Sequence, residues 1–320
     1  MKKNTGFLVV AIVLLCVVSP LFAGGARQQS GGSGNYKLAF LPNAMANPSQ
    51  AYAAKIFQQL GPQMGFDVTI LDGRFDAQVQ AQTVNNAVAQ KFDVIFVNPN
   101  DINGIVPSLT AAKRAGVIVG LFSSDLPAAN ASSRDIFVGV NDNEAGETAG
   151  RSFIRQFPNG ADIVEIGGQS GHDAAIKRHD GFNSVIRGSN INVLDYQACA
   201  AWDTSHAMVI MEDMLTKYGN RIQGVFCHWD NGATGVIEAA RAAGLTNLFI
   251  VGVDGNRAGF NQVLDGVQSS TIMQDFAAQV RVALEVAGKA LRKEPYSAIN
   301  LVPLVDVNKS NISNYEEPEW

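Results

Sequence analysis

The stretch IQGVFCHWDNGATGVIEAARAAGLTNLFIVGVDG (222–255) sets two short apolar runs on either side of a segment with helical spacing. IQGVFC (222–227) and NLFIVGV (247–253) are near-continuous in apolar and β-branched residues, as strands buried on both faces are. Asp230 stands where a helix N-cap is expected, and Gly244 follows two alanines as a C-terminal stop. Strand, helix and strand in this order form one unit of a parallel sheet.

The same rhythm extends outward in both directions. Upstream, the strand candidates are KLAFLP (37–42), FDVTIL (66–71), DVIFVN (93–98), VIVGLF (117–122), DIFVGV (135–140), ADIVEIG (161–167) and INVLDY (191–196). Downstream come SSTIMQ (269–274) and a last short strand, LVPLV (301–305). Asn47 before Pro48 is an N-cap followed by proline at the first helical position, and Asp76 and Asp101 are further caps. Gly116 is a second helix stop. These strands are too many for one ordinary open sheet, so the pattern predicts an α/β protein with two doubly wound parallel-sheet domains.

The chain of 320 residues is 47% hydrophobic and 17% charged, long enough for two modest cores. Its formal net charge of −5 argues against nucleic acid as a partner. Lys2 and Lys3 precede the apolar run 7–18, and Ala23 offers a small residue for cleavage, so residues 1–23 read as a secretory signal peptide. The apolar run is shorter than the ~20 residues of a spanning helix. Residues 24–35, GGARQQSGGSGN, read as a flexible linker, and an uncleaved leader would make it a membrane tether. Cys16 follows two leucines, a poor context for lipid attachment. Of the remaining cysteines, Cys199 and Cys227 read as small buried thiols rather than a bridge.

In open α/β sheets, ligands bind beyond the carboxyl ends of the strands. That rule nominates Asn43, Asn47, Asn98, Ser123, Ser124, Asp125, His172, Asp173, Arg178, Trp202, His228, Trp229, Asp230, Asp254 and Gln274. The set is rich in amides and carboxylates, with one arginine and two tryptophans. An indole face suits the C–H face of a sugar ring, and the polar groups suit its hydroxyls. No catalytic residue, cofactor or metal is expected. GHDAAIKRHDGF (171–182) has no HExxH pattern or cysteine pair, and neither GGQSG (167–171) nor GVDGNRAG (252–259) has GxGxxG spacing.

From about Tyr36 to Val305 the chain resembles the type I periplasmic binding proteins, nearest to the ribose- and galactose/glucose-binding members. GHDAAIKRHDGF, AAWD (200–203), IVGVDG (250–255) and STIMQ (270–274) carry the resemblance. It implies a three-stranded hinge with crossovers near Val140–Asn141, Gln274–Asp275 and Asn300–Leu301. The implied domains are 36–140 plus 275–300 and 141–274 plus 301–320. It further implies a monosaccharide enclosed between the domains, contacted by Asn47, His172, Arg178, Trp202, Asp254 and Gln274. An arginine clamp falls on Arg178, whose competing reading is a helix-surface pair with Asp180; His179 reads as a solvated helix residue.

The chain departs from the ribose pattern at Ser49 and Gln50, where aromatics stack the sugar, and at Ser123–Ser124, where an aspartate–arginine pair stands. Trp229 replaces an asparagine, and the carboxylate two residues past His172 becomes Ala174. Gln50, Ser123, Ser124 and Trp229 complete the expected site. The departures keep a polyol, nucleoside or furanose signalling compound open as the ligand. The resemblance implies delivery to an ABC permease in the inner membrane, with a chemoreceptor as a second partner, by a periplasmic monomer that is not an enzyme.

Overall fold

The computed structural model describes residues 35–320, which form one compact unit. The expected signal peptide and most of the expected linker lie outside the described residues. Among the described residues, no helix is long and apolar enough to cross a membrane.

Two six-stranded sheets carry the structure. The first contains β1 (Tyr36–Leu41), β2 (Phe66–Ile70), β3 (Val94–Val97), β4 (Ile118–Phe122), β5 (Ile136–Gly139) and β11 (Ile299–Leu301), in the order β11-β5-β4-β3-β1-β2. The second contains β6 (Ala161–Gln169), β7 (Ile191–Cys199), β8 (Gly224–Cys227), β9 (Phe249–Asp254), β10 (Ser270–Gln274) and β12 (Leu304–Asn308), in the order β12-β10-β9-β8-β6-β7. β12 runs antiparallel to β10, and the other pairings are parallel.

Period-two burial explains why helices cover both faces. In β1, Leu38 and Phe40 join Phe57 of α1 (Pro48–Leu60) and Phe276 and Leu284 of α9 (Phe276–Leu291). Ala39 and Leu41, on the opposite face, join Val84 of α2 (Ala77–Ala89) and Leu109 of α3 (Val106–Arg114). The second sheet repeats the plan. Ile163, Phe226 and Val251 meet Phe153 of α4 (Asp142–Gln156) and Phe182 of α5 (Asp173–Ile186). Val164, Val225 and Ile250 meet Met211 of α6 (Thr204–Tyr218) and Val236 of α7 (Asp230–Ala242). Each such side chain taken fully from water contributes about 1.5–3 kcal/mol. The doubly wound α/β class is thus present twice.

The chain passes between the sheets three times. It leaves β5 for α4, returns from β10 into α9, and crosses again from β11 to β12. The single strand expected over 301–305 is therefore two strands in different sheets. Pro303, with no N–H to donate, separates them. Asn47 and Asp76 cap α1 and α2 as expected, accepting from Ser49 N and from Gln78 N and Val79 N. Two expected caps differ. Asp101 accepts from Asn103 N and Gly104 N in a turn, while α3 starts later, at Val106. Asp230 is the first residue of α7, and its carboxylate is drawn away to other loops. Cys199 and Cys227 are buried free thiols.

Candidate functional site

The carboxyl ends of the two sheets face a small cavity lined largely by polar side chains. Nine of the ten predicted site residues line it: Asn47, Gln50, Ser123, His172, Arg178, Trp202, Trp229, Asp254 and Gln274. Ser124 does not; it is fully buried, and it follows Ser123 in the bend beyond β4, where Ser123 takes a left-handed φ of 63°. Ser49, Asn98, Ala174 and Phe276 complete the lining.

Arg178 sits in the second turn of α5 and is 3% exposed. Its Nε donates to Asp142 Oδ1 at 2.9 Å, Nη2 lies 2.8 Å from the same oxygen, and Nη1 donates to the His228 carbonyl. Asp142, at the start of α4, neutralises the buried guanidinium; Asp180 does not pair with it. The remaining donors of the guanidinium fork are free for a ligand. The guanidinium also lies 5.7 Å from the Trp202 ring centroid.

His172 caps α5, its Nδ1 accepting from Ala174 N at 3.3 Å. With Nδ1 an acceptor, Nε2 carries the proton and donates to Asn98 Oδ1 at 2.9 Å. Burial, reinforced by Arg178, pushes the His172 pKa down to about 3, so the ring is neutral. That contact joins the second sheet to the first. Gln169 Nε2 to the Asn100 carbonyl (3.3 Å) and Asp125 N to Asp173 Oδ2 (3.2 Å) also cross between sheets. The cleft is therefore closed in this structure.

Asp254 ends β9 with φ 125°, a strained angle for an aspartate, and accepts from Gln274 Nε2 at 2.9 Å. Burial drives its carboxyl well above the usual range, against the pull of Arg178. Behind it, Asp230 accepts from Gly255 N, Asn256 N, Thr271 Oγ1 and Gln268 Nε2, which fixes the 254–256 turn. Trp202 and Trp229 meet edge to face, with centroids 5.5 Å apart. Trp229 packs close over Gly232 of α7, and its indole is almost fully buried.

Several polar atoms of this wall are buried without a hydrogen-bond partner among the described residues: Gln50 Oε1, Trp229 Nε1 and Gln274 Oε1. Leaving such a group unpaired costs about 1–3 kcal/mol. Two acceptors and one donor on residues that line the cavity thus lack partners, a mix that hydroxyl groups, which both donate and accept, can satisfy.

Sequence reasoning missed Asp142, which pairs with Arg178, and Phe276, which lines the cavity; both are placed by α4 and α9 packing against other elements. It also missed a buried cluster below the site. Glu165, fully buried in β6, accepts from His228 Nε2 (2.9 Å) and His179 Nδ1 (3.0 Å). Burial alone would raise the Glu165 carboxyl; the two histidine hydrogen bonds outweigh it and hold the pKa down. His179 is raised by that bond, so it is an ion-pair partner as well as a half-exposed helix residue. Among the described residues no group of His, Cys, Asp and Glu is placed to hold a metal ion.

Residues 38–295 match the family model of the periplasmic binding protein domain. The chain is 25% identical over 275 residues to the ribose import binding protein of Bacillus subtilis, covering 86% of this chain and 88% of that one. Among solved structures, a galactofuranose binding protein superposes with a TM-score of 0.83 at 21% identity, covering 87% of this chain and 96% of that one. An ABC transporter solute binding protein from Bacillus halodurans with bound myo-inositol has the same TM-score at 23% identity, covering 89% and 99%. Two parallel-dominated sheets, three passages between them and a polar cavity at their carboxyl ends accompany a family match over most of the length: the chain belongs to the periplasmic binding protein domain family, with the type I architecture.

Proposed function

We propose that the protein is the exported solute-binding component of an ABC transporter. It encloses one neutral monosaccharide between its sheets and presents the closed form to a membrane permease; a chemoreceptor is a second reader of that form. The observation that carries this reading is that Gln50 Oε1, Trp229 Nε1 and Gln274 Oε1 are buried and unpartnered on residues that line one cavity with Arg178. Arg178 is already neutralised by Asp142, and burial favours the neutral Asp254 carboxyl, which together disfavour a charged ligand. The relative of 25% identity is named for ribose import.

Binding rather than catalysis is supported by the state of His172. Its ring is neutral, and its protonated nitrogen is committed to Asn98, so His172 is not set up as a general base for Ser49 or Ser123. The bodies proposed to close on the solute are residues 36–140 with 275–300, and 141–274 with 301–320, in a monomer. Ligand touching both walls favours the closed form by its differential affinity.

Titration of tryptophan fluorescence with pentoses, hexoses and polyols tests the proposal. A saturable change with one sugar, lost in Arg178→Ala, is expected. A folded protein silent to every sugar and polyol overturns the monosaccharide reading. A second reading, a polyol or furanose, is favoured by Ser49 and Gln50, which leave the first-sheet wall with hydrogen-bonding groups where a stacking ring would stand. Saturation by a polyol but by no pyranose would select it.

A further inference from the structure

The segment after β12 leaves the second sheet and ends against the first. Trp320 stacks on Tyr52 of α1, with centroids 5.6 Å apart and planes 14° apart, and stands edge-on to Phe276 of α9 at 5.2 Å. Both helices cover the first sheet, and Phe276 lines the cavity. The same segment holds the second sheet through Arg257, the first residue of α8 (Arg257–Asp265). Arg257 N donates to the Trp320 carbonyl at 2.6 Å and Arg257 Nε to the Pro318 carbonyl at 3.0 Å, while Nε lies 3.2 Å from Glu317. Glu319 pairs with Lys55 of α1 at 3.1 Å.

Arg257 follows the 254–256 turn that presents Asp254, and Phe276 follows Gln274 by two residues. The segment therefore grips the second half just beyond Asp254 and meets the first half at Phe276, which itself lines the cavity. Contacts of this kind cannot be kept by both halves when the cleft opens. We infer that Trp320 is a clasp between the two halves, a positioning residue that holds the cleft shut behind Phe276 and slows release of the bound solute. If the segment stays with Arg257 when the cleft opens, both aromatic contacts are lost, so this side chain adds to the cross-sheet hydrogen bonds that hold the ligand-free cleft shut. The part concerning release rests on the solute-binding reading; the part concerning the cleft does not.

Hydrogen exchange of the ligand-free protein tests the cleft directly, because the Asp125 amide donates across it to Asp173. In Trp320→Ala the Asp125 amide and the segments around Asn98 and His172 are expected to exchange about tenfold faster, with Trp320→Phe near the parent protein. Faster exchange confined to residues 315–320, α1 and α8, with the cleft unchanged, would overturn the clasp. Should Trp320→Ala unfold, Trp320→Leu keeps the apolar fill without the stack: an intermediate rise in cleft exchange supports the proposal, and none overturns it. With the solute from the fluorescence panel, Trp320→Ala is expected to raise the dissociation rate about tenfold while leaving the association rate nearly unchanged. A change in association alone sinks the release claim.

Discussion

Arg178 and Asp142 lie 36 positions apart and share one buried ion pair. Removing one partner of such a pair costs about 3–5 kcal/mol, because the survivor keeps its charge out of water. Asp142→Asn is therefore expected to lower the urea midpoint clearly and to weaken solute binding, whereas an exposed pair such as Arg151–Glu147 is expected to move either by little. His172 gives a pH signature. Its folded pKa lies near 3, below the ordinary value of 6.5, so its contribution is intact above pH 6.5 and is lost progressively as the pH falls toward 3. Between pH 7.5 and 4.5 this amounts to roughly 2–3 kcal/mol. His172→Gln is expected to flatten that part of the acid limb in denaturation curves; an unchanged slope would contradict the assignment. Arg178 was legible in the sequence because RHDGF sits just beyond a strand end. Asp142 was not, since its partner is chosen by how α4 lies on α5, and periodicity does not encode that.

At the level of elements, two glycines set that packing. A Cβ on Gly146 would collide with the Arg178 carbonyl, and one on Gly181 with the Asn143 carbonyl, so α4 and α5 touch backbone to backbone. Gly146→Ala must push the arginine's own helix turn outward. We expect a loss of about 1–3 kcal/mol or more, together with weakened solute binding. Gly150→Ala, whose Cβ would meet neighbours at 3.2 Å, is expected to cost less and to spare binding. Most strands were legible because their apolar runs are bounded by turns and caps. LVPLV was not: five apolar residues around one proline show no alternation, and nothing local says that the two halves belong to different sheets. Asp101 and Asp230 misled for a related reason. An aspartate before a helix is equally suited to a turn or to a distant set of amide donors, and only the tertiary fold chooses.

For the molecule as a whole, the βα rhythm foretold two sheets, and the strand-end rule gathered nine of ten expected residues at one cavity. The contacts that shut the cleft, Asn98 to His172 and Gln169 to Asn100, were not readable, because they join elements far apart in sequence. Bound solute at one hundred times its Kd is expected to add about 2.7 kcal/mol to unfolding, measured as a shift of the urea midpoint. The late return of the chain to the second sheet has a further consequence, for synthesis. β6 to β10 can pair as they emerge, but the outer edge of β10 stays bare until α9, β11 and finally residues 304–308 have been made. An unpaired strand edge is a template for other chains. A nascent or truncated chain ending at Asn300 therefore exposes a sticky border that the finished protein hides, and it should aggregate during refolding in proportion to its concentration while the full chain does not.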